Sequence, residues 1–244
     1  MLVKKIIAHY KKFKTKPCIV LTGDVLQSST SKSAFHEARI ILQPLKDNGF
    51  PLMICPGNHD LKAFGIGPVI TGRIRFNNYF KGLLPERNNY YGPEDNELHD
   101  FPIVHKFKNH YFIGLDSMAA ESGPGTTGEL GEEQLEELKA ILKEIRSKEK
   151  KPVIIVYLHH HPLKFSYRPR LLRLKDKKQL LQKIKGVNVL LFGHLHFIER
   201  FEIDEQKYNI DVIHLTGGSA YGRHVDWTEI DTKKFDVKVI SYKK

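Results

Sequence analysis

The 244-residue sequence predicts a layered α/β/β/α sandwich, folded as a single domain over 1–244. Three observations predict it. Four short apolar runs, at 18–22, 52–55, 153–158 and 187–192, are strand-length and nearly continuous in Val, Ile and Leu, as strands buried on both faces are. Amphipathic helical patterns lie between these runs. After Phe197 the pattern changes to short alternating segments, which predict a second sheet packed on the first.

Taken in order, residues 3–13 form a lysine-bearing helical pattern, and the run 18–22 is a strand that ends at Gly23-Asp24. Residues 33–46 then place Phe35, Ala38, Ile41, Leu42 and Leu45 at helical spacing and stop near Asn48-Gly49. The second strand, 52–55, ends in the cluster Pro56-Gly57-Asn58-His59-Asp60. Residues 61–100, rich in Gly, Asn and Tyr, keep no period and predict an irregular, cap-like insertion beside that cluster. A helix over 132–145 carries Leu135, Leu138, Ile141, Leu142 and Ile145, with acidic residues in its first turn where the helix dipole favours them. The third strand, 153–158, ends at His159-His160-His161-Pro162; a helix through 180–184 follows, and the fourth strand, 187–192, ends at Gly193-His194-Leu195-His196. The alternating strands are expected at 200–203, 209–215, 227–230 and 235–242.

Composition narrows the class. A hydrophobic share of 41% with 27% charged residues is that of a globular domain, and no apolar run approaches the roughly 20 residues needed to cross a bilayer. The first residues lack the apolar core and small-residue cleavage site of a secretory signal, and Cys18 and Cys55 both sit in apolar stretches, so a reducing compartment, the cytoplasm, is expected. The formal net charge of +11 favours polyanions and raises the reading of a nuclease acting on DNA or RNA. Its excess, however, comes largely from short lysine runs with polar or acidic neighbours, the composition of solvated helix faces; phosphate-bearing small substrates suit the charge equally well.

The strand ends carry the chemistry. Any one of them alone reads as a turn or a surface histidine. Together they supply a carboxylate (Asp24), an amide oxygen (Asn58) and imidazoles (His160, His194, His196), a set of N and O donors without thiolate that suits Mn, Fe or Zn in hydrolytic sites. In parallel sheets that carboxyl-terminal edge is where sites are built.

The ordered motifs LTGD, PGNHD, LHHHP and GHLH resemble the calcineurin-like metallophosphoesterase family, from Pro17 to about Tyr221. The resemblance implies a sandwich of the metallophosphoesterase type and two divalent or trivalent metal ions (Mn, Fe or Zn) acting on a small phosphate ester. Asp24 would bridge the ions; Asn58, His160 and His194 would bind the second and His196 the first. His160 is chosen on its His-x-Pro spacing to Pro162, with His159 and His161 as substitutes. Metal-activated hydroxide would attack a phosphomonoester or phosphodiester, with His59 as general acid positioned by Asp60. Arg223 or His224 would balance phosphate charge. Gln27 in place of a frequent Asp, the triple histidine, GLDS at 114–117 and GELGEEQLEEL at 128–138 also resemble the bacterial class III cyclic-nucleotide phosphodiesterases.

One feature of the family is missing. Its opening strand ends in Asp-x-His, which ligates the first metal, and no such motif precedes Pro17; His9 is expected to be an exposed helix residue. Either Met1 is an internal methionine, with an apolar run and Asp-x-His encoded upstream, or the first metal site is incomplete. The former is the expectation. The latter motivates the alternative reading of a pseudoenzyme or binding module on the same fold.

Overall fold

The computed structural model describes residues 2–62, 69–85, 101–120, 126–163, 173–216 and 224–243. Its elements, in chain order, are α1 (Leu2–His9), β1 (Ile19–Leu21), α2 (Lys32–Asp47), β2 (Leu52–Ile54), α3 (Asn58–Leu61), α4 (Val69–Phe80), β3 (Ile103–Phe107), β4 (His110–Gly114), α5 (Glu132–Lys148), β5 (Val153–Tyr157), α6 (Lys177–Lys183), β6 (Val189–Phe192), β7 (Ile198–Arg200), α7 (Glu202–Tyr208), β8 (Val212–Thr216), β9 (His224–Asp231) and β10 (Asp236–Lys243).

Three apolar clusters define the layers. The parallel pair β1–β2 sends Leu52 and Ile54 to one side, where Val3 and Ile6 of α1, Phe35, Leu42 and Leu45 of α2 and Phe76 and Phe80 of α4 cover them. Met53 and Cys55 point the other way, into a second core shared with Phe112, Ile155, Tyr157, Val189, Leu191 and Val212 of a six-stranded sheet ordered β3-β4-β5-β6-β8-β7. The alternate residues of that sheet, Ile113, Ile154, Val156, Leu190, Phe192 and Ile213, face a third cluster closed by Leu135, Leu138, Leu142 and Ile145 of α5 and Leu180 and Ile184 after it. Period-two alternation along buried strands thus sets helix, sheet, sheet and helix layers in register. The hairpin β9–β10 joins the middle of the sandwich through Ile230, Phe235 and Val237.

The four expected strands and four expected helices are all present, with ends shifted by a few residues. Several elements differ. Within the stretch expected to be irregular, 69–80 is helix α4, because Phe76 and Phe80 recur on one face and bury against α2; residues 86–100 lie outside the described residues. The hairpin β3–β4, not anticipated, turns at Lys108-Asn109, where Lys108 takes φ 56°, a left-handed value that tight hairpin turns require. The strand expected at 200–203 is β7 followed at once by α7: Glu202, Asp204 and Glu205 fill a first helical turn, and Asn209 stops it at φ 52°. Strand β8, expected in the second sheet, instead pairs parallel with β6 in the first, since its Val212, Ile213 and Leu215 are buried on both faces. His9 is half-buried rather than exposed, held against the hairpin by Tyr242 and Glu229.

Two histidine to threonine hydrogen bonds tie the hairpin to the sheet, His110 Nε2 to Thr232 Oγ1 at 2.8 Å and His214 Nε2 to Thr228 Oγ1 at 2.9 Å. Burial, aided by the charge of Arg200, pushes the His214 pKa down to about 4. Between that value and the ordinary one near 6.5, the unfolded chain takes up a proton that the folded chain refuses, so acid removes stability over this window. The native protein should therefore lose about 3 kcal/mol relative to His214→Gln between pH 7 and pH 4. Urea unfolding of both proteins at stepped pH checks this; a difference that stays constant with pH would refute it.

Candidate metal centre

Each expected donor stands just beyond a strand. β1 ends at Gly23 and Asp24, both in the left-handed region at φ 81° and 53°, which turns the carboxylate back over the strand ends. Gly57 has to be glycine for the same reason of space: a Cβ there would lie 2.2 Å from Asp24 Oδ1. His194, at φ 73°, is folded over by the turn after β6.

The parity of β5 separates His159 from His160. Ile155 and Tyr157 face the core between the sheets, so His159 shares that face, whereas His160 follows Val156 and Leu158 to the other. His159 Nε2 accordingly sits 3.0 Å from Asn58 Oδ1, 3.0 Å from His194 Nδ1 and 3.3 Å from Asp24 Oδ2. Its other nitrogen, Nδ1, lies 2.8 Å from the carbonyl of Thr22 and must donate to it. A neutral His159 therefore presents a lone pair at Nε2 to Asn58 Oδ1 and Asp24 Oδ2, which can only accept, and to His194 Nδ1, which accepts or donates according to its tautomer. Three lone pairs facing one another in this pocket need a cation between them, either a proton or a metal ion.

The electrostatics of the group favours a proton on His159. Burial works against charge on both partners, yet the attraction between them wins, so His159 is raised above the ordinary imidazole value and Asp24 is held below the ordinary carboxylate range. His194 goes the other way, lowered by burial and by His159, and stays neutral. Three buried atoms of the group, Asp24 Oδ2, Asn58 Nδ2 and His194 Nε2, have no hydrogen-bond partner among the described residues. Neutral imidazoles, an ionised carboxylate and an amide oxygen are the state in which these groups ligate a divalent ion, and the residues fit one.

The remaining expected residues fall as follows. His160 lies beside the group, one of its ring nitrogens within 4.8 Å of a ring nitrogen of His159 and of His194, but both of its own are engaged elsewhere, Nδ1 with Ser117 Oγ and Nε2 with the Thr126 carbonyl. His196, at φ 57°, is on the exposed side of the same turn as His194. His59 is the second residue of α3: its backbone N–H donates to Asp24 Oδ1 at 3.0 Å, and its ring Nδ1 donates to the Gln27 carbonyl at 2.7 Å. The contact expected from Asp60 to His59 is not made. Asp60 instead accepts the backbone N–H groups of Leu26 and Gly57, each at 2.9 Å, because a fully buried carboxylate is satisfied by the loop it closes. Burial and the charge of Asp24 push Asp60 up to about 7 against these two bonds. Arg223 lies outside the described residues, and the side chain of His224 is not described.

Sequence reasoning missed Thr22, whose carbonyl fixes the tautomer of His159, and Gln27, whose carbonyl holds His59. Both act through the backbone, which leaves no signature in residue type. Strand parity, by contrast, separates His159 from His160 in the sequence itself; His161 shares the parity of His159 and is set apart by its Nδ1 bond to the Leu163 carbonyl.

The calcineurin-like phosphoesterase family model matches residues 2–197, and the chain belongs to that family. The family generally uses a dinuclear divalent metal centre, and its membership supports a metal-dependent phosphoesterase. Among solved structures, the fold is similar to a dimetal phosphatase from Danio rerio, with 16% identity, a TM-score of 0.59, and coverage of 89% of this chain and 77% of that one. It is similar also to a putative 5'-nucleotidase from Staphylococcus aureus, with 17% identity and a TM-score of 0.53; 98% of this chain is covered but only 47% of that one. No curated protein matches. No described helix is long and apolar enough to cross a membrane.

Proposed function

We propose that the chain hydrolyses a phosphomonoester or phosphodiester at a metal centre held by Asp24, Asn58, His159 and His194, with His59 as general acid. The observation that carries this reading is the convergence of three further ligand-type atoms on His159 Nε2, with contacts of 3.0, 3.0 and 3.3 Å. A second ion of the family's kind would draw on Asp24 and on exposed His196. Bound Mn, Fe or Zn supplies Lewis acidity and neutralises phosphoryl charge.

The chain's own groups do the rest. The backbone N–H of His59 fixes Asp24 through Oδ1, which leaves Oδ2 turned toward His159. The Gln27 carbonyl anchors Nδ1 of His59, so the transferable proton is carried at Nε2 of a half-buried ring that water and substrate can reach. Asp60 staples the loops 24–27 and 57–60 together, fixing the distance between the general acid and the ligands. Within this reaction class the resemblance to the class III enzymes makes cyclic nucleotides the first substrates to assay.

The test is metal analysis of the purified protein together with turnover of bis(p-nitrophenyl) phosphate, p-nitrophenyl phosphate and a cyclic nucleotide. Turnover of at least one ester should vanish on chelation and return with Mn²⁺ or Zn²⁺. A protein that takes up no divalent ion, or that hydrolyses equally well in chelator, would overturn the reading.

A further inference from the structure

We propose that His160 is a positioning residue of this centre rather than one of its ligands: it is the strut that sets the rings of His159 and His194, braced by Ser117, Thr126 and Gly128. The inference rests on the reading of the site as a metal centre.

Proximity alone would make His160 a ligand, since one of its ring nitrogens lies within 4.8 Å of a ring nitrogen of His159 and of His194. Its hydrogen bonds argue otherwise. The side chain is fully buried, and Nε2 lies 3.0 Å from the Thr126 carbonyl, an atom that can only accept, so the ring proton is on Nε2. Nδ1 then accepts from the Ser117 hydroxyl at 2.8 Å, and the same hydroxyl oxygen accepts the His160 backbone N–H at 3.2 Å. Both ring nitrogens of His160 are used, and no ring lone pair is left for a cation.

What the ring does instead is set by its contacts. Its centroid is 4.6 Å from that of His194, tilted by 46°, and 4.9 Å from that of His159, edge-on at 88°. Neither ligand ring can rotate toward it. Behind, Gly128 closes the space, for a Cβ there would come within 2.4 Å of His160 Cγ.

The brace is itself anchored. Ser117 accepts the Glu129 N–H at 2.7 Å through its carbonyl. Its neighbour Asp116 is paired with Arg73 at 2.5 Å and gripped at both backbone groups by Gln134, at 2.8 and 2.9 Å. A line of fixed contacts therefore runs from α4 and α5 through Ser117 and His160 to the ligand rings. Partners that orient ligands in this way are typically worth about 10–100-fold in metal affinity.

Co²⁺ titration of the apoprotein reads both affinity and, through the visible d–d bands, ligand geometry. His160→Ala should keep its fold by circular dichroism, weaken Co²⁺ about 10–100-fold and shift the bands. Ser117→Ala should shift them in the same direction by less, and the double variant should bind no more weakly than His160→Ala alone, because the hydroxyl acts only through the ring. His160→Asn, which returns an acceptor to Ser117, should recover part of the loss. Should His160→Ala fail to fold, Ser117→Ala decides, since its hydroxyl touches His160 and neither ligand ring. If His160→Ala abolishes binding as fully as His159→Ala, His160 is a ligand and the proposal falls. If the dissociation constant and spectrum do not move, His160 only fills space, and again it falls. A native protein that binds no Co²⁺ removes the metal reading and, with it, this inference.

Discussion

Replacing His59 by alanine should lower turnover of an alkyl phosphate by about 10²–10⁴-fold while the metal content per chain stays at the native level. The two halves of this expectation come from different atoms. Asp24 is fixed by the backbone N–H of residue 59, which alanine retains, so the ligand group survives. The imidazole, anchored at Nδ1 by the Gln27 carbonyl, is lost, and with it the proton for the leaving oxygen. An alkoxide leaves poorly without that proton, whereas a nitrophenolate leaves well on its own. The deficit should therefore be much larger on an alkyl ester than on p-nitrophenyl phosphate. Steady-state kinetics on both esters, with metal analysis of the same samples, makes the comparison. Loss of metal, or an equal deficit on the two esters, would show that His59 has some other role.

His159→Ala should weaken divalent-ion binding by more than the roughly 100-fold that marks the upper effect of an outer-sphere partner. Nε2 of His159 is the one atom in contact with all three other donors, and its removal opens the group at its centre. The variant also strands the Asp24 carboxylate, whose depressed pKa depends on the charge and hydrogen bond of His159. Without that partner, burial acts on Asp24 against little more than the His59 backbone N–H and pushes it toward its protonated, non-ligating form. Both effects lower affinity, and they do so most strongly at acid pH, where protons compete with metal. Equilibrium dialysis against Zn²⁺ or Mn²⁺ at pH 6 and pH 8 measures them. Binding within a few-fold of native at both values would mean that the ion sits elsewhere.

Much of the fold was legible because buried strands announce themselves. Runs such as Val153 to Tyr157 are continuous in β-branched and apolar residues, since each side meets a core, and the structure has Ile154 and Val156 in one cluster and Ile155 and Tyr157 in another. Position along such a strand is harder to read than its existence. The triple histidine was assigned by spacing to Pro162, while strand parity, which physically decides direction, sends His159 inward. Helix α4 was missed because its pattern is weak and interrupted by Gly72, Asn77 and Asn78, and its place is set by Tyr79 and Phe80 meeting Phe35 of α2, a contact distant in sequence. Strand β8 shows the same limit: local pattern gave a strand, but membership of one sheet or the other depends on pairing with β6. For the site, side-chain donors are visible as letters. The carbonyls of Thr22, Gln27 and Thr126 that fix tautomers and ring positions are common to every residue type and become visible only in three dimensions.

Asp24, His194 and His196 all hold a left-handed backbone. For side chains other than glycine that conformation costs about 1–2 kcal/mol per residue, with aspartate among the more tolerant. The polypeptide would therefore be more robust with glycine at these places, and the most direct route to a hardier molecule is also a route to an empty one. Random change sifted only for abundance or heat tolerance would erode these residues early, leaving a well-folded relic. A lineage that keeps all three accepts a lasting burden on its own durability, and only the benefit of what the residues do can hold them in place.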